Sequence, residues 1–305
     1  MFTRREFLKK CGQIALVIGA SPLISSDLAH AFERIASGDV RVIFLQGQAC
    51  SGCSVSLLYG DSPELFYVIT RIIDTQFHPN ISAAQGEMVI DIINKNVEEG
   101  GYFLVVEGSI PEKIKTACLF GEETFYDASV RIMKNAAGII AMGTCSSWGG
   151  IPASNMNPTG ARDVEYVMKK ENIKKPFIRV PGCPIQPDRF LGTVAYLVAY
   201  GKPPKLDKKF KPVKYFGKDK KIHDHCDRFQ FFAQDKYIMN FNEKEGCLLK
   251  KGCRGPITYT DCPFRRWNLG TNFCINSNTP CIGCVNEDFP YKPDNPFYTD
   301  PTKIY

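Results

Sequence analysis

The chain has 305 residues, of which 44% are hydrophobic and 23% charged, with a formal net charge of +6. That length supports one or two globular domains with a real core and excludes a disulfide miniprotein. The lysines are not blocked into a nucleic-acid-binding arm, so the mild basic excess does not by itself point to DNA or RNA.

In chain order, the N-terminus reads differently from the rest. "TRREFLKKCGQIALVIGASPLISSDLAHA" combines Arg4-Arg5, Phe7-Leu8-Lys9, a short apolar stretch and a small-x-small "AHA" at Ala29–Ala31. The pattern predicts a twin-arginine export signal over 1–31 rather than a buried N-terminal helix. Its removal takes four basic and two acidic residues and leaves a mature charge of about +4. Such a signal implies a periplasmic protein exported after folding, often with cofactors already in place. No later segment reaches the roughly 18 apolar residues needed to span a bilayer. The polar, proline-rich "YKPDNPFYTDPTKIY" also predicts no anchor after the last motif. Any membrane association is then expected to come through a partner.

"VRVIFL" (40–45) reads as a strand, followed by a glycine-rich turn with Cys50 and Cys53 and by the helix-compatible "VSLLYG". "FYVITRIIDTQF" and "EMVIDIINKNVEE" are helix-compatible, and "GYFLVVEGSIP" is a buried strand, Tyr102–Val106, stopped by Glu107-Gly108. "TFYDASVRIMKNA" and "VEYVMKKENI" read as helices. Between them "AGIIAMGTCSSWGGIPAS" is a strand with a glycine-rich turn, and "PFIRVPGCPIQPD" after them is another strand ending in Gly-Cys-Pro. Alternating βα units with near-continuous apolar strands predict an α/β domain over 38–200, a parallel sheet covered by helices.

In open parallel sheets, sites form outside the carboxyl ends of the strands. Here those ends carry Cys50 and Cys53, Glu107, Cys145 and Cys183. A Cys-x-x-Cys pair alone is compatible with a redox disulfide, half of a metal site or a zinc ribbon. These cysteines are split across three loops, so no local zinc ribbon forms, and four thiolates suit a 4Fe–4S cluster. The bland reading makes Cys145 and Cys183 ordinary buried thiols. Glu107 is expected to make a structural hydrogen bond beside the site, with a proton-linked role as the alternative.

"KPPKLDKKFKPVKYFGKDKK" (202–221) carries three prolines and a glycine and reads as a solvated connector, or else as a docking surface for an acidic partner. Beyond it periodicity fades and cysteines crowd in, which predicts a cysteine-rich, mostly irregular region over 205–305. It holds His223, Cys226, Cys247 and Cys253, then Cys262, Cys274 and the Cys281/Cys284 Cys-x-x-Cys pair. Thirteen cysteines in an exported chain of this size, sent out already folded, favour metal clusters over a disulfide framework. Cys118 is expected to be a buried hydrophobe, and His30, His78 and His225 surface residues. Trp148 and Trp267 are expected to serve packing, and Cys11 falls inside the signal.

"CSGC", "VEGSIP", "GTCSSWGGIPAS…NPTGA" and "VPGCPIQPD" together resemble the small, electron-transferring subunit of nickel–iron hydrogenases, a likeness that runs to about residue 290. The resemblance implies a flavodoxin-like domain whose proximal 4Fe–4S cluster is held by Cys50, Cys53, Cys145 and Cys183. It also implies a distal 4Fe–4S cluster on His223, Cys226, Cys247 and Cys253, and a medial cluster on Cys262, Cys281 and Cys284. In the family's familiar pattern that medial cluster is 3Fe–4S, and proline often stands seven residues before the Cys-x-x-Cys. Here Cys274 takes that place and is expected to be a fourth ligand, making the medial cluster 4Fe–4S. Oxygen-tolerant relatives carry extra cysteines where this chain has Gly52 and Gly150, so a conventional proximal cubane is expected. The nickel–iron site is expected in a separate large subunit. A cytochrome c, or a membrane cytochrome b or other quinone-reducing partner, is expected as electron acceptor, met near His223 by lysines 214, 218, 220, 221, 250 and 251. The N-terminal domain also resembles a cluster-bearing subunit of respiratory complex I. That relative lacks the tail from His223 to Cys284, which discriminates between the two.

Overall fold

Strand β1 (Arg41–Gln46) is buried along Val42–Leu45 and pairs in parallel with β2 (Asp74–Phe77) on one side and β3 (Phe103–Glu107) on the other. β4 (Gly138–Met142) lies beside β3, and β5 (Phe177–Val180) completes the sheet. The order β2-β1-β3-β4-β5, all parallel, is that of flavodoxin-like doubly wound domains. The computed structural model describes residues 40–61, 64–154 and 156–290. The expected export signal, with Cys11 and His30, lies outside them.

Alternate residues of each strand face opposite layers. Val42, Phe44, Val105, Ile140, Ile178 and Val180 pack with helix α4 (Pro187–Tyr200), while Ile43, Leu45, Leu104, Val106 and Ile139 pack on the other face. There they meet α1 (Glu87–Glu99), α2 (Phe125–Asn135) and α3 (Val164–Lys170). Leu104, Val105 and Val106 are fully buried, each contributing about 1.5–3 kcal/mol of apolar burial. Side-chain caps start α2 and α3: Thr124 Oγ1 accepts from the N–H of Asp127 at 3.2 Å and Asp163 from that of Tyr166 at 3.1 Å. After α4 the described chain holds only short helical turns, and isolated bridges replace strands.

Three expectations are corrected here. The segment "FYVITRIIDTQF" is helical only to Ile72; Ile73 is extended, and Asp74–Phe77 is edge strand β2. The next residues along the free edge of β1 can pair with its backbone, and that tertiary pairing outweighs the helical pattern. The stretch 202–221 is not merely a solvated connector. Leu206 bridges Pro212, and Tyr215 and Phe216 are buried in the core beside α4.

His78 is the third. It is buried rather than on the surface, with its ring 4.6 Å from that of Phe44, and its Nδ1 accepts from the N–H of Asn80 at 3.1 Å. Burial lowers its pKa to about 4. In the unfolded chain the imidazole charges near pH 6.5, so between 6.5 and 4 the unfolded state binds the extra proton. Through this residue stability is full above 6.5 and falls by about 3 kcal/mol on acidification to 4. His78→Gln should flatten this part of the acid limb in urea denaturation. Parallel acid limbs in variant and parent would contradict the assignment.

Candidate metal centres

The parallel strands deliver four loops to one end of the sheet. After β1, Ser51 takes a left-handed conformation and turns the chain into a short helix, Gly52–Ser56, that carries Cys53. Glu107 ends β3 buried beneath that helix. Its carboxylate accepts from the backbone N–H groups of Cys53 (3.0 Å) and Ser54 (3.4 Å), from the Ser54 hydroxyl and from Gln46 Nε2 (3.2 Å). The acid thus satisfies the helix's first amides, a structural task. Cys145 rides on the short helix Thr144–Trp148 after β4, and Cys183 follows β5.

Cys53 lies within electrostatic reach of Cys145 and Cys183, as does Cys50. Burial pushes the Cys53 thiol well up, with Glu107 adding to the rise, and lifts Cys145 to about 12. Backbone hydrogen bonds from Ile185 to Cys53 and from Ile151 to Cys145 oppose that rise by favouring the thiolate. Such thiols are protonated when nothing is bound, so loading a metal group releases their protons.

Gly143 shows how tightly the backbone is drawn in. Its φ is +88°, and an added Cβ would stand 2.4 Å from Cys53 Sγ. Gly143→Ala is therefore expected to displace Cys53 and to cost about four irons per chain in an iron assay of the purified protein. Full iron content in the variant would show that this loop does not frame the centre. At Gly150, φ is +55° and an added Cβ would stand 2.8 Å from Cys145 Sγ, so the present backbone admits no side chain there.

In the tail, His223, Cys226, Cys247 and Cys253 line one small pocket. The His223 ring sits edge-on against Phe232 (4.6 Å) and Phe229 (5.3 Å), and burial, helped by Lys221, lowers its pKa. Both effects favour the neutral imidazole, the form that ligates. Cys226 Sγ accepts from the N–H of Arg228 at 3.4 Å. A second hollow of about 370 Å³ is lined by Cys262, Cys274, Cys281 and Cys284 together with Cys183 and Arg189. Cys274 is partly open to solvent yet lies within electrostatic reach of Cys262 and Cys284. Burial lifts Cys284 to about 12 and pushes the Cys281 thiol well up.

The three groups are wired to one another. The backbone of Cys183 hydrogen-bonds the Cys284 thiol, and Thr144 Oγ1 donates to the Cys284 carbonyl. The backbone of Cys281 likewise hydrogen-bonds the Cys253 thiol. Among the described residues, no three His, Cys, Asp or Glu side chains close on a single metal ion. In the tail the thiols line hollows instead, a donor set suited to a polynuclear sulfide cluster. None of the twelve described cysteines is in a disulfide. A larger hollow of about 730 Å³, between Gly86–Asp91 and Phe120–Glu123, contains no thiol or imidazole.

His225, Trp148 and Trp267 lie as expected, and Cys118 is less buried than expected. Cys118 is half-buried against the core, and His225 is exposed, with Nε2 2.9 Å from the Asp219 carbonyl. Trp148 Nε1 donates to the Val285 carbonyl at 3.3 Å, and Trp267 packs on the tail's core. Sequence reasoning missed the buried arginines Arg179 and Arg189. Arg179, inside β5, stacks 4.0 Å over Trp148, donates to the Ser147 carbonyl at 2.9 Å and pairs with Asp163 and Glu165. It pins the loop of Cys145. Its signal was a lone cation within the apolar "FIRV". Arg189 donates to Cys262 Sγ at 3.1 Å, and no local pattern marks it.

The family profile for the C-terminal region of the NiFe/NiFeSe hydrogenase small subunit matches residues 219–298. That of the NADH ubiquinone oxidoreductase 20 kDa subunit matches 50–197. The periplasmic NiFeSe hydrogenase small subunit of Desulfomicrobium baculatum is 36% identical over 97% of this chain and 98% of its own. The hydrogenase-2 small chain of Escherichia coli K12 is also 36% identical, over 93% of this chain and 76% of its own. A crystal structure of the reduced, active Ni-Fe-Se hydrogenase from Desulfomicrobium baculatum superposes with a TM-score of 0.79 at 37% identity. It covers 85% of this chain and 98% of that one.

Proposed function

The chain belongs to the small-subunit family of nickel–iron hydrogenases, and from that premise we propose that it carries electrons between a hydrogen-activating partner and an external acceptor through three iron–sulfur clusters. The observation that carries the reading is the placement of twelve candidate ligands in three adjoining groups joined by the Cys183–Cys284 and Cys281–Cys253 hydrogen bonds. Cys50, Cys53, Cys145 and Cys183 would hold the proximal 4Fe–4S cluster, and His223, Cys226, Cys247 and Cys253 the distal one. Cys262, Cys274, Cys281 and Cys284 would hold a medial 4Fe–4S cluster. The tail match at 219–298 favours this reading over a complex I-like subunit.

Bound clusters of this kind take up and return one electron at a time. The protein's share is to fix the spacing, exclude water and bias each site's charge. Backbone N–H groups on the sulfurs stabilise negative charge there, and His223 in place of a thiolate removes one negative charge at the exit. Gly52 and Gly150 offer the proximal site no fifth or sixth thiolate, which supports a single-electron cubane. The domains we propose are 1–31, 38–200 and 205–305, for signal, flavodoxin-like domain and iron–sulfur domain.

Val55, Leu58 and Tyr59 follow directly on Cys53, and Ile151 follows the turn of Cys145; all four are exposed. An apolar rim around the proximal loops supports burial against a large subunit holding the nickel–iron site. Around His223, Lys220 and Lys221 are paired with Asp219 (2.8 Å) and Asp224 (3.0 Å). Together with Lys214, Lys218, Lys250 and Lys251 they would offer a positive face to an acidic cytochrome or a quinone-reducing partner. Among the described residues no helix is long and apolar enough to cross a membrane.

Cell fractionation tests partner and export together. This chain should bring a larger nickel-containing chain with it into the periplasm, and replacing Arg4 and Arg5 by lysines should strand both in the cytoplasm. Purification without any nickel-containing partner would overturn the assignment, and unchanged export of the double variant would remove the twin-arginine route.

A further inference from the structure

Arg189 is 1% exposed at the start of α4, six residues after Cys183. Nη2 donates to Cys262 Sγ at 3.1 Å, and Nε donates to Asp261 Oδ1 at 2.8 Å. Asp261, itself buried, also accepts from Arg265 Nε at 2.8 Å. The Arg189 guanidinium lies 5.5 Å from the Phe216 ring. Arg189 and Arg265 face Asp261, and Asp188 lies 3.9 Å from Arg265, so the cluster balances formally and the charge that touches the medial sulfur is the Arg189 guanidinium. A guanidinium does not lose its proton in a protein, so this charge is permanent. The sulfurs of Cys226 and Cys281 accept from backbone N–H groups at 3.4 Å; Cys262 receives a full cation at shorter range.

We propose that Arg189 is a positioning residue that raises the reduction potential of the medial site through Cys262, with Asp261 holding the rise in check. The inference rests on the reading of Cys262 as a medial ligand. The step concerned is a one-electron transfer. The proximal site is oxidised by one electron and the medial site reduced by one; no bond forms or breaks, and Arg189 keeps its proton. Reduction adds a negative charge within reach of the guanidinium, and a cation hydrogen-bonded to a ligand sulfur favours that state. Burial removes the water that would screen it. Asp261 opposes the effect because its carboxylate repels the added electron and neutralises part of the arginine field. A purely structural tie between α4 and the Cys262 turn would hold the two together without moving the potential.

The test is a potentiometric titration of the assembled hydrogenase, read by electron paramagnetic resonance, for the wild type, Arg189→Met and Asp261→Asn. At the wild-type medial midpoint, Arg189→Met should lower the reduced-to-oxidised ratio at least tenfold, a downward shift of about 59 mV for a one-electron couple. Asp261→Asn should move the midpoint upward, with the distal midpoint unchanged in both. An unmoved medial midpoint in Arg189→Met overturns the inference. If that variant does not assemble, Asp261→Asn decides, and a midpoint that stays put or falls overturns it. Cys262→Ala separates the two layers. A full medial signal with the wild-type midpoint there would sink the ligand assignment, whereas its loss there with an unmoved midpoint in Arg189→Met would sink only the role of the arginine.

Discussion

Cys284→Ala is expected to reduce hydrogen-dependent reduction of an acceptor at the distal end by more than about a hundredfold, beyond the 10–100-fold typical of changes one layer outside the ligands. Cys284 is a proposed medial ligand and also the junction to the proximal group. Its thiol accepts from the backbone of Cys183, and its carbonyl accepts from Thr144, the neighbour of Cys145. Alanine removes the thiolate and the sulfur that bridges the two groups. Hydrogen–deuterium exchange at the partner's metals needs no electron to leave, so it should persist in the variant. Acceptor reduction within a fewfold of wild type would mean that electrons do not pass this point.

Cys274→Pro is expected to convert the medial site. A three-iron cluster is a cubane lacking one corner, and it persists where the fourth position offers no ligand. Proline offers none, whereas Cys274 lines the same hollow as Cys262, Cys281 and Cys284 and interacts with two of them. The oxidised wild-type complex should show no stoichiometric three-iron signal in electron paramagnetic resonance. The variant should acquire one, together with a higher medial potential. A full three-iron signal in undamaged wild type would mean that the Cys274 thiol is a bystander.

Much of this was legible in the sequence, for a physical reason. Parallel strands buried on both faces must be apolar throughout, so "FLVVE" and "GIIAM" announce themselves, and the candidate ligands stand where each run stops. Glu107, Cys145 and Cys183 were found that way. What escaped is what depends on contacts distant along the chain. Edge strand β2 exists because β1 had a free edge. His78 went inside because its ring fits against Phe44 and its Nδ1 has a backbone donor. Arg189 meets Cys262, 73 positions away, and nothing in "QPDRF" foretells it.

Three complete iron–sulfur sites on this chain can be counted by iron and acid-labile sulfide analysis, with Mössbauer spectroscopy, of the mature complex purified without air. Three four-iron sites predict about twelve irons and twelve sulfides per chain beyond the partner's own metals, with every iron in a cubane. Fewer than about eight irons in intact complex, or cysteines recovered as disulfides, would contradict the three sites.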